Sequence, residues 1–328
     1  MAGVSDLVGN MNNIVVVGAG QLGSRHLQGL AKLSNESIIH VVDPSENSKI
    51  EAFKRIKEVS TDKVHEILSH DSVETLPDSI QLAIIATTAD IRLPALKALC
   101  SHASVQYLIL EKVLFQKASD FQEAQKLIEN NAIKCWVNCP RRTYPVYCEL
   151  REYFSTDPVT NMDVVGGEWG LGCNAIHFLD LLAFFTRKVD FELDVSHLDT
   201  GMRTGKREKF FEFTGCILGE CGGASFSLRS TFKSQANHII SLYGETRFAV
   251  IDEVGGRIWK VDENSSQSST FDLPFQSNLT TTIADSILSD GTCNLPGYEE
   301  SRMVHTPFLQ ALSTHLGSEL FTDSIPIT

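Results

Sequence analysis

Short apolar runs alternate with amphipathic segments over roughly the first 140 residues of the chain. The runs at 14–17, 38–43, 82–88, 105–110 and 133–138 have the length and β-branched content of buried strands. The spacing of apolar positions predicts helices directly after residue 20 and at 46–58, 62–69, 91–101 and 117–130. Strands that alternate with such helices indicate parallel βαβ units. We therefore expect an α/β domain over residues 11–140, preceded by a disordered extension at 1–10.

The periodicity changes after about residue 155. One apolar helix is predicted at 174–187, and short strands follow it at 191–198, 209–218, 223–232, 237–244, 247–253 and 256–261. Turns that contain glycine separate several of these strands, which is typical of a meander. A polar loop is predicted at 264–270, and two helices are predicted at 277–290 and 297–317. Residues 141–328 are therefore predicted to form an α+β domain with an open, mainly antiparallel sheet.

Composition and charge narrow the set of partners. The 328 residues carry a formal net charge of −13, so nucleic acid and anionic membrane surfaces would be repelled. No apolar run approaches the about 20 residues of a membrane span, and the first residues lack the basic and apolar regions of a secretory signal. None of the eight cysteines forms a C-x-x-C pair, and no His/Cys cluster has zinc spacing. We expect a cytoplasmic protein with reduced thiols and no metal.

A glycine-rich turn follows the first predicted strand. Gly18, Gly20 and Gly23 form the pattern G-x-G-x-x-G, and the next strand ends at Asp43, 20 residues after Gly23. This is the context of the Rossmann dinucleotide fingerprint, whose glycines permit a tight turn, close approach to a pyrophosphate and helix packing. Asp43 would accept hydrogen bonds from ribose hydroxyls and repel a 2′-phosphate, which favours NAD over NADP. The alternative is a glycine-rich turn that binds no ligand.

Other candidate cofactor ligands lie at the carboxyl ends of predicted strands, where ligand groups gather in parallel sheets. Together with the glycine loop, they form the predicted cofactor site, which comprises Gly18, Gly20, Gln21, Leu22, Gly23, Asp43, Thr87, Thr88, Glu111 and Lys112. Asn138 lies at the end of a further strand of the same predicted sheet.

Three motifs in this order resemble the glucose–fructose oxidoreductase / inositol dehydrogenase (Gfo/Idh/MocA) family. They are the segment GAGQLGSRH, a strand that ends in Glu111-Lys112, and a helix with His177 and Asp180 before an open sheet. The resemblance extends over residues 13–317. It implies an enzyme that uses NAD(P) to oxidise or reduce a hydroxyl or carbonyl, usually on a sugar, cyclitol or nucleotide sugar. The stretch GLGCNAIHFLDLL resembles a subgroup associated with bacterial surface-polysaccharide and nonulosonic-acid gene clusters.

The resemblance implies catalytic roles for two residues. Lys112 would hydrogen-bond the reacting oxygen, and His177 would transfer the proton. Asp180 lies three residues after His177 and is expected to orient or electrostatically support it. The chain departs from the family at Val113, where the E-K-P motif has proline, and at Cys173, where an aspartate usually precedes the histidine by four residues. The alternatives are a core histidine bonded to Asp180 and a solvated lysine.

The predicted substrate site contains four more residues. Asn174 is expected to cap the helix, and Cys173 is expected to form part of the pocket wall. Arg141 and Arg142 follow a strand end and would hold a substrate carboxylate or phosphate bidentately. The alternative for the two arginines is ion pairing at the surface.

Three other features leave two interpretations each. Tyr144 and Trp169 would stack on a sugar or belong to the core. The basic segment 201–209 would be a mobile loop over the substrate or a solvated turn, and the turn is favoured. Apolar residues on the open sheet face favour a homodimer or homotetramer.

The leading interpretation is an NAD-dependent oxidoreductase of a sugar, nucleotide sugar or sialic-acid-like substrate, with Lys112, His177 and Asp180 as catalytic residues. The alternative is a catalytically silent nicotinamide-nucleotide-binding sensor or scaffold protein, which the changes at Val113 and Cys173 support. Retention of both Lys112 and His177 favours the enzyme. A reductase of an imine or non-sugar carbonyl also stays open, because a fold does not determine a function.

Overall fold

The computed structural model describes residues 11–61, 63–201, 203–205, 208–317 and 324–328. The predicted disordered extension at residues 1–10 lies outside the described residues. The chain divides into two compact units. The first extends to Glu111 and includes Glu123–Asn138 and Phe275–Asn294, and the second comprises Lys112–Gln122, Cys139–Pro274 and the residues from Leu295 onward. Each unit is thus assembled from separate stretches of chain, whereas the sequence pattern places a single boundary at residue 140.

The first unit contains a parallel sheet. Its strands are β1 (Asn12–Val17), β2 (Ser37–Val42), β3 (Glu66–His70), β4 (Ser79–Ile85), β5 (Ser104–Leu110) and β6 (Lys134–Val137). They lie in the order β3-β2-β1-β4-β5-β6, and every pairing is parallel. The helices in this part of the fold are α1 (Gln21–Leu30), α2 (Glu46–Lys57), α3 (Ala89–His102), α4 (Ala118–Asn130) and α7 (Gln276–Asp290). The predicted Rossmann-type architecture is confirmed.

The edge of this sheet contains one corrected prediction. The segment 62–69 is predicted to be helical, but β3 (Glu66–His70) pairs along β2 from Ile38 to Val42. An edge strand is half-exposed, so its own apolar pattern is weak, and the backbone hydrogen bonds of the neighbouring strand decide its conformation.

The second unit contains an eight-stranded sheet and a short hairpin. Its strands are β7 (Asn161–Gly166), β8 (Phe191–Leu198), β9 (Arg203–Thr204), β10 (Phe211–Glu212), β11 (Gly215–Cys221), β12 (Ala224–Ser230), β13 (Ile239–Tyr243), β14 (Phe248–Asp252), β15 (Arg257–Val261) and β16 (Ser266–Thr270). The large sheet has the order β16-β15-β14-β13-β7-β12-β11-β8, and β9 pairs with β10. Only the β12–β7 pairing is parallel among the described strands of this sheet, so the predicted mainly antiparallel α+β fold is confirmed.

Four details of the second unit differ from the sequence pattern. β7 at the centre of the sheet and helix α5 (Pro145–Tyr153) are not predicted at all. The expected polar loop 264–270 contains β16, an edge strand with five exposed residues, which lacks apolar alternation because neither face is buried. The predicted strand 209–218 is divided into β10 and β11, and β11 begins at Gly215, whose φ is +103°.

Two helices cover one face of the larger sheet. They are α6 (Leu171–Thr186) and α8 (Tyr298–Leu316), which contact each other and strands β8, β11 and β12. Helix α6 begins three residues before the predicted start at 174 because its N-cap is Gly170, not Asn174. None of the helices in the described part of the chain is long and apolar enough to span a membrane.

Candidate active site

The glycine loop of the first unit has three different steric environments. Gly18 has a φ of +95°, which favours glycine. A Cβ at Gly23 would lie 1.8 Å from the carbonyl oxygen of Gly18, so no side chain fits between β1 and α1 there. A Cβ at Gly20 would meet nothing within 4 Å, and Gly20 is the N-cap of α1 without a side-chain hydrogen bond. The loop therefore leaves open space at a helix N-terminus, which suits an anionic group.

Asp43 lies beside this loop at the end of β2. Its Oδ2 accepts a hydrogen bond from the backbone N–H of Ala19 at 2.7 Å, and its Oδ1 accepts one from Ser45 at 2.8 Å. The side chain is half-exposed and fixed in position, and a carboxylate oxygen can accept more than one hydrogen bond. Asp43 can therefore also accept hydrogen bonds from the hydroxyl groups of a ribose.

The remaining residues of the predicted cofactor site have mixed positions. The Oγ1 atom of Thr87 is buried and has no hydrogen-bond partner among the described residues, and the Thr87 backbone N–H lies 3.1 Å from where a Cβ of Gly18 would stand. Thr88 is the N-cap of α3. The side chain of Gln21 accepts a hydrogen bond from Arg55, and Leu22 is half-buried. The open glycine loop, the fixed Asp43 and the unsatisfied Thr87 hydroxyl together fit a dinucleotide.

Glu111 occupies a buried network that its predicted role did not anticipate. Its Oε1 lies 2.7 Å from Nε2 of His26 and accepts a hydrogen bond from Asn138 at 2.5 Å. The other ring nitrogen of His26 lies 2.8 Å from Oγ1 of Thr280 in α7. Burial acts to raise the pKa of Glu111, but His26 and Asn138 outweigh it and hold that pKa below its usual value. The Glu111 carboxylate therefore ties α1, β6 and α7 to β5, and its predicted role beside a cofactor stays a prediction.

The second unit has its own cavity of about 450 Å³. Lys112, Cys173 and Asn174, three of the predicted site residues, line it. The ammonium of Lys112 donates to the backbone oxygen of Cys173 at 3.0 Å, which leaves further N–H groups for a ligand. The Lys112–Val113 peptide bond is cis. The cavity wall also contains four aromatic side chains, Trp169, Phe210, Phe211 and Phe213.

Cys173 and Asn174 belong to the first turn of α6. Burial raises the pKa of the Cys173 thiol to about 12, and the Glu212 carboxylate adds to this effect, so the thiol stays protonated. The side chain of Asn174 donates to the backbone oxygen of Trp169 at 2.8 Å. The predicted N-cap role of Asn174 is wrong because Gly170, with a φ of +81°, lets the chain turn into the helix earlier.

His177 lies one turn further along α6. Its Nδ1 atom is inaccessible and has no hydrogen-bond partner among the described residues. Burial, followed by the positive charges of Lys112 and Arg141, holds the pKa of His177 well below its usual value. The imidazole is therefore neutral near pH 7 and able to accept a proton, although it does not itself line the cavity.

The expected support of His177 by Asp180 is wrong. Both carboxylate oxygens of buried Asp180 accept from Arg142, at 2.7 Å and 3.0 Å. The Arg142 guanidinium also contacts Glu300 in α8 at 2.9 Å. Asp180 and Arg142 thus join α6 to α8 and to the short 3₁₀ helix Pro140–Thr143. This corrects the substrate role of Arg142 as well, because its donors are taken up inside the unit.

Arg141 is taken up in a second ion pair. Its Nε and a terminal nitrogen donate to the two carboxylate oxygens of Glu253, each at 2.9 Å. The hydroxyl of Tyr147 and the ring of His238 also contact this carboxylate. Burial acts to raise the pKa of Glu253, but Arg141 and these hydrogen bonds outweigh it and hold that pKa below its usual value. The predicted binding of a substrate anion by Arg141 and Arg142 is therefore wrong, because each arginine forms an ion pair with a carboxylate of the same unit.

Three charged residues of the cavity wall, Glu168, Arg203 and Glu212, are absent from the predicted site. Arg203 lies in the basic segment for which a solvated turn was favoured, and its guanidinium stacks on Phe232 at 3.3 Å from the ring centroid. Glu212 follows in the same hairpin, and its Oε2 accepts from the backbone N–H of Gly172 at 2.7 Å. Trp169, open between two interpretations, lines the cavity while its Nε1 donates to Arg229. The alternation of Phe211, Glu212 and Phe213 indicates a strand, but the neighbouring sequence does not indicate that this strand borders a cavity.

Comparisons with known proteins agree with this architecture. Residues 12–139 match the oxidoreductase family with the NAD-binding Rossmann fold, named GFO_IDH_MocA, which confirms the family resemblance for the glycine-rich segment and for the strand that ends in Glu111-Lys112. This match supports an NAD(P)-dependent oxidoreductase. No curated protein matches the chain.

Solved structures share the fold at low sequence identity. An oxidoreductase from Agrobacterium radiobacter, in complex with NAD+, L-tartaric acid and magnesium, is 15% identical with a TM-score of 0.75, over 94% of this chain and 97% of that one. UDP-N-acetylglucosamine 3-dehydrogenase from Acidithiobacillus ferrooxidans is 13% identical with a TM-score of 0.72, over 92% and 96%. Scyllo-inositol dehydrogenase from Lactobacillus casei is 15% identical with a TM-score of 0.68, over 93% and 96%.

Proposed function

We propose that this chain, whose residues 12–139 match the oxidoreductase family with the NAD-binding Rossmann fold, transfers hydride between a nicotinamide cofactor and a hydroxyl or carbonyl carbon of a sugar derivative. The observation that supports this most directly is the position of Lys112 in the cavity wall, where it contacts the first turn of the helix that carries His177. Lys112 presents N–H donors to a cavity of about 450 Å³, and its charge helps to keep His177 neutral.

The cofactor would be held by the first unit. Gly20 leaves the space for a pyrophosphate at the N-terminus of α1, Gly18 and Gly23 permit the tight turn beside it, and Thr87 has an unsatisfied hydroxyl beside the loop. When bound, the nicotinamide would accept or supply the hydride. We propose NAD over NADP because the Asp43 carboxylate would lie near a 2′-phosphate and repel it.

Two residues of the second unit would handle the substrate oxygen. Lys112 would donate a hydrogen bond to that oxygen and stabilise negative charge that develops on it. His177 would accept the hydroxyl proton during oxidation and return it during reduction, which suits an imidazole that is neutral near pH 7. Asp180 has no part in this step, since Arg142 takes both of its oxygens.

The substrate class is supported by the cavity and by the structural neighbours. Aromatic walls with a few polar groups are typical of sites for sugar rings, and two of the neighbours are dehydrogenases named for UDP-N-acetylglucosamine and scyllo-inositol. A nucleotide sugar and a sialic-acid-like substrate both stay open at this level.

We also propose that the protein is a homodimer or homotetramer. Val165, Tyr243 and Trp259 are exposed, and the strand register places them on the same face of the large sheet. A second copy would cover this apolar face. Light scattering would show a mass above that of one chain, which Trp259→Ser would lower. The cytoplasmic location stays a prediction from cysteine usage.

The first experiment is a titration with NADH and NADPH, followed by quenching of protein fluorescence. We expect wild type to bind NADH more tightly than NADPH. Asp43→Ala should lower the affinity for NADH and reduce the difference in affinity between the two cofactors. Asp290→Ala, an exposed aspartate at the end of α7, is the matched control and leaves both affinities unchanged. Absence of binding by both cofactors at micromolar concentration would refute the proposal.

The second experiment is a turnover assay with the hydroxyl-bearing compounds that bind. Lys112→Ala and His177→Ala are each expected to lower kcat by about 10²–10⁴-fold while NADH affinity is retained. Lys188→Ala removes an exposed lysine after α6 and serves as the control. Unchanged kcat in both active-site variants would contradict the assigned roles.

A further inference from the structure

Glu212 is brought into the cavity wall by a hairpin that two other segments hold in place. It pairs in register with Arg203 across the β9–β10 hairpin. The preceding residue, Phe211, donates its backbone N–H to Pro326 at 2.7 Å. The backbone N–H of Ile325 in turn donates to Gln116 at 3.0 Å, four residues after Lys112. Glu212 and Lys112 are therefore positioned by the same local framework.

Two glycines make room for the Glu212 carboxylate at the start of α6. A Cβ at Gly170 would lie 3.2 Å from Oε1 of Glu212, and a Cβ at Gly172 would lie 3.0 Å from Oε2. Oε2 also accepts from the Gly172 backbone N–H at 2.7 Å. The residues that lead into α6 thus bring a carboxylate from a distant hairpin close to the backbone of the site.

The same wall contains the opposite charge. Lys112 donates to the carbonyl oxygen of Cys173, and Glu212 accepts from the amide of the adjacent Gly172. Burial raises the pKa of Glu212, while Lys112 acts in the opposite direction, so the two groups interact electrostatically. A donor and an acceptor of hydrogen bonds are therefore held at two adjacent residues of α6.

A simple capping role does not account for this placement. Helix N-caps are usually supplied by Ser, Thr, Asp or Asn of the helix's own chain segment. Here the carboxylate comes from 40 residues away and lines a cavity together with Lys112, Arg203 and a second carboxylate, Glu168. Carboxylates accept hydrogen bonds from hydroxyl groups, whereas a second anion at the same place would be repelled.

We propose that Glu212 is a substrate-binding residue that accepts hydrogen bonds from hydroxyl groups of an uncharged, polyhydroxylated ring and disfavours substrates with a carboxylate at that position. The inference deepens the proposed function and rests on it, because it assumes that the cavity beside Lys112 is the substrate site. It selects a neutral sugar or cyclitol ring over a sialic-acid-like acid.

The test compares neutral and acidic probes on the full-length protein saturated with NADH. The neutral probes are scyllo-inositol, myo-inositol and N-acetyl-D-glucosamine, and the acidic probes are L-tartrate and N-acetylneuraminate. Binding is measured by saturation-transfer NMR at millimolar ligand with wild type, Glu212→Gln and the control Glu220→Gln, which changes an exposed carboxylate on the neighbouring strand β11.

We expect wild type to bind at least one neutral probe more tightly than either acid. Glu212→Gln should weaken that probe by about 10-fold, as expected for loss of a hydrogen bond to a charged group, and should strengthen the acids. Glu220→Gln should match wild type. Tighter binding of an acid by wild type, binding of none of the neutral probes, or equal affinities in Glu212→Gln and wild type would each overturn the inference.

Failure of this inference can be separated from failure of the proposed function. NADH binding is measured on the same samples. If the protein binds NADH and Lys112→Ala abolishes turnover, but Glu212→Gln leaves probe binding unchanged, the proposed function stands and only the role of Glu212 is refuted. The preference of wild type between neutral and acidic probes is measured without any variant. It therefore tests the inference even if Glu212→Gln is unstable.

Discussion

Helices α1 and α6 begin in similar ways and end up with opposite electrostatic environments. Both have a glycine N-cap without a side-chain hydrogen bond, Gly20 for α1 and Gly170 for α6. At α1, open space surrounds Gly20, and no acidic residue lies in the first turn. At α6, the Glu212 carboxylate accepts a hydrogen bond from the backbone N–H of Gly172. One helix terminus is therefore free for an anionic ligand, and the other has been supplied with an anion by the protein itself.

The two helices are also anchored differently. Helix α1 packs through glycines, since a Cβ at Gly29 would lie 2.4 Å from the backbone oxygen of Ser277 in α7. Helix α6 is anchored by the buried pair of Asp180 and Arg142. Close backbone packing tolerates no added volume, whereas a buried ion pair tolerates no loss of charge. A buried ionisable group on an apolar helix is therefore not by itself a sign of catalysis.

The largest expected effect comes from the anchor of α6. Asp180→Ala should lower the free energy of unfolding by about 3–5 kcal/mol, because Arg142 would remain buried with Glu300 as its remaining carboxylate partner. Urea denaturation measures this, with the exposed Asp190→Ala as the control, which should change stability by less than about 0.5 kcal/mol. If the two variants were equally stable, the ion pair of Asp180 and Arg142 would not be what anchors α6.

The next effect separates the glycines of the α1 loop. Gly23→Ala should destabilise the protein by about 3 kcal/mol and abolish NADH binding, because its Cβ would meet the backbone of Gly18 at 1.8 Å. Gly20→Ala should leave stability within about 0.5 kcal/mol of wild type and weaken NADH alone, since its Cβ enters only open space. Denaturation and fluorescence titration of both variants would show this split, and equal destabilisation would contradict it.

A smaller effect is expected at the corresponding glycine of α6. A Cβ at Gly172 would lie 3.0 Å from the end of the Glu212 side chain, 3.1 Å from the backbone oxygen of Phe211 and 3.1 Å from the ring of Phe213, so small shifts of these neighbours would accommodate it. Since alanine also favours the helix by about 1 kcal/mol, Gly172→Ala should change stability by no more than about 1 kcal/mol. It should nevertheless weaken binding of the neutral probes. If Gly172→Ala lost as much stability as Gly23→Ala, the N-termini of α1 and α6 would be equally intolerant of an added Cβ.

The smallest effect concerns pH. The pKa of Glu212 is raised by burial above its usual 4.5, so the folded state holds its proton more tightly than the unfolded state does. The resulting stability is fully present below pH 4.5 and is lost as pH rises through the folded pKa. Relative to Glu212→Gln, wild type should therefore lose stability as pH rises. Urea unfolding of both proteins across this range measures the trend, and a pH-independent difference would contradict it.

Local patterns predicted much of the fold because they depend on neighbouring residues. The alternation of apolar runs and helices placed five of the six strands of the parallel sheet, and the glycine spacing placed the turn after β1. The edge strands β3 and β16 were missed because pairing with a neighbour, not their own apolar pattern, determines them. The central strand β7 was missed although buried Met162 and Val164 alternate with Asp163, because this alternation extends over only a few residues.

The predicted site divides along the same line. Lys112, Cys173 and Asn174 line one cavity, as the motifs suggested, and His177 interacts with Lys112. Arg141 and Arg142 were assigned to a ligand because an adjacent pair of arginines after a strand suits an anion. Their actual partners, Glu253 and Asp180, lie in a strand-end turn and in α6, and the sequence contains no signal for either pairing.

Residue type alone indicates the turn after β1, since Gly18 adopts a φ of +95° that favours glycine and Gly23 packs on Gly18, five residues before it. Only the tertiary structure decided which charges are neutralised and which face a ligand. Arg142 meets Asp180 38 residues away and Glu300 158 residues away, and Gly172 meets Glu212 40 residues away. Electrostatic pairing acts through space, so the partner of a charge depends on which segments the fold brings within a few ångströms of each other.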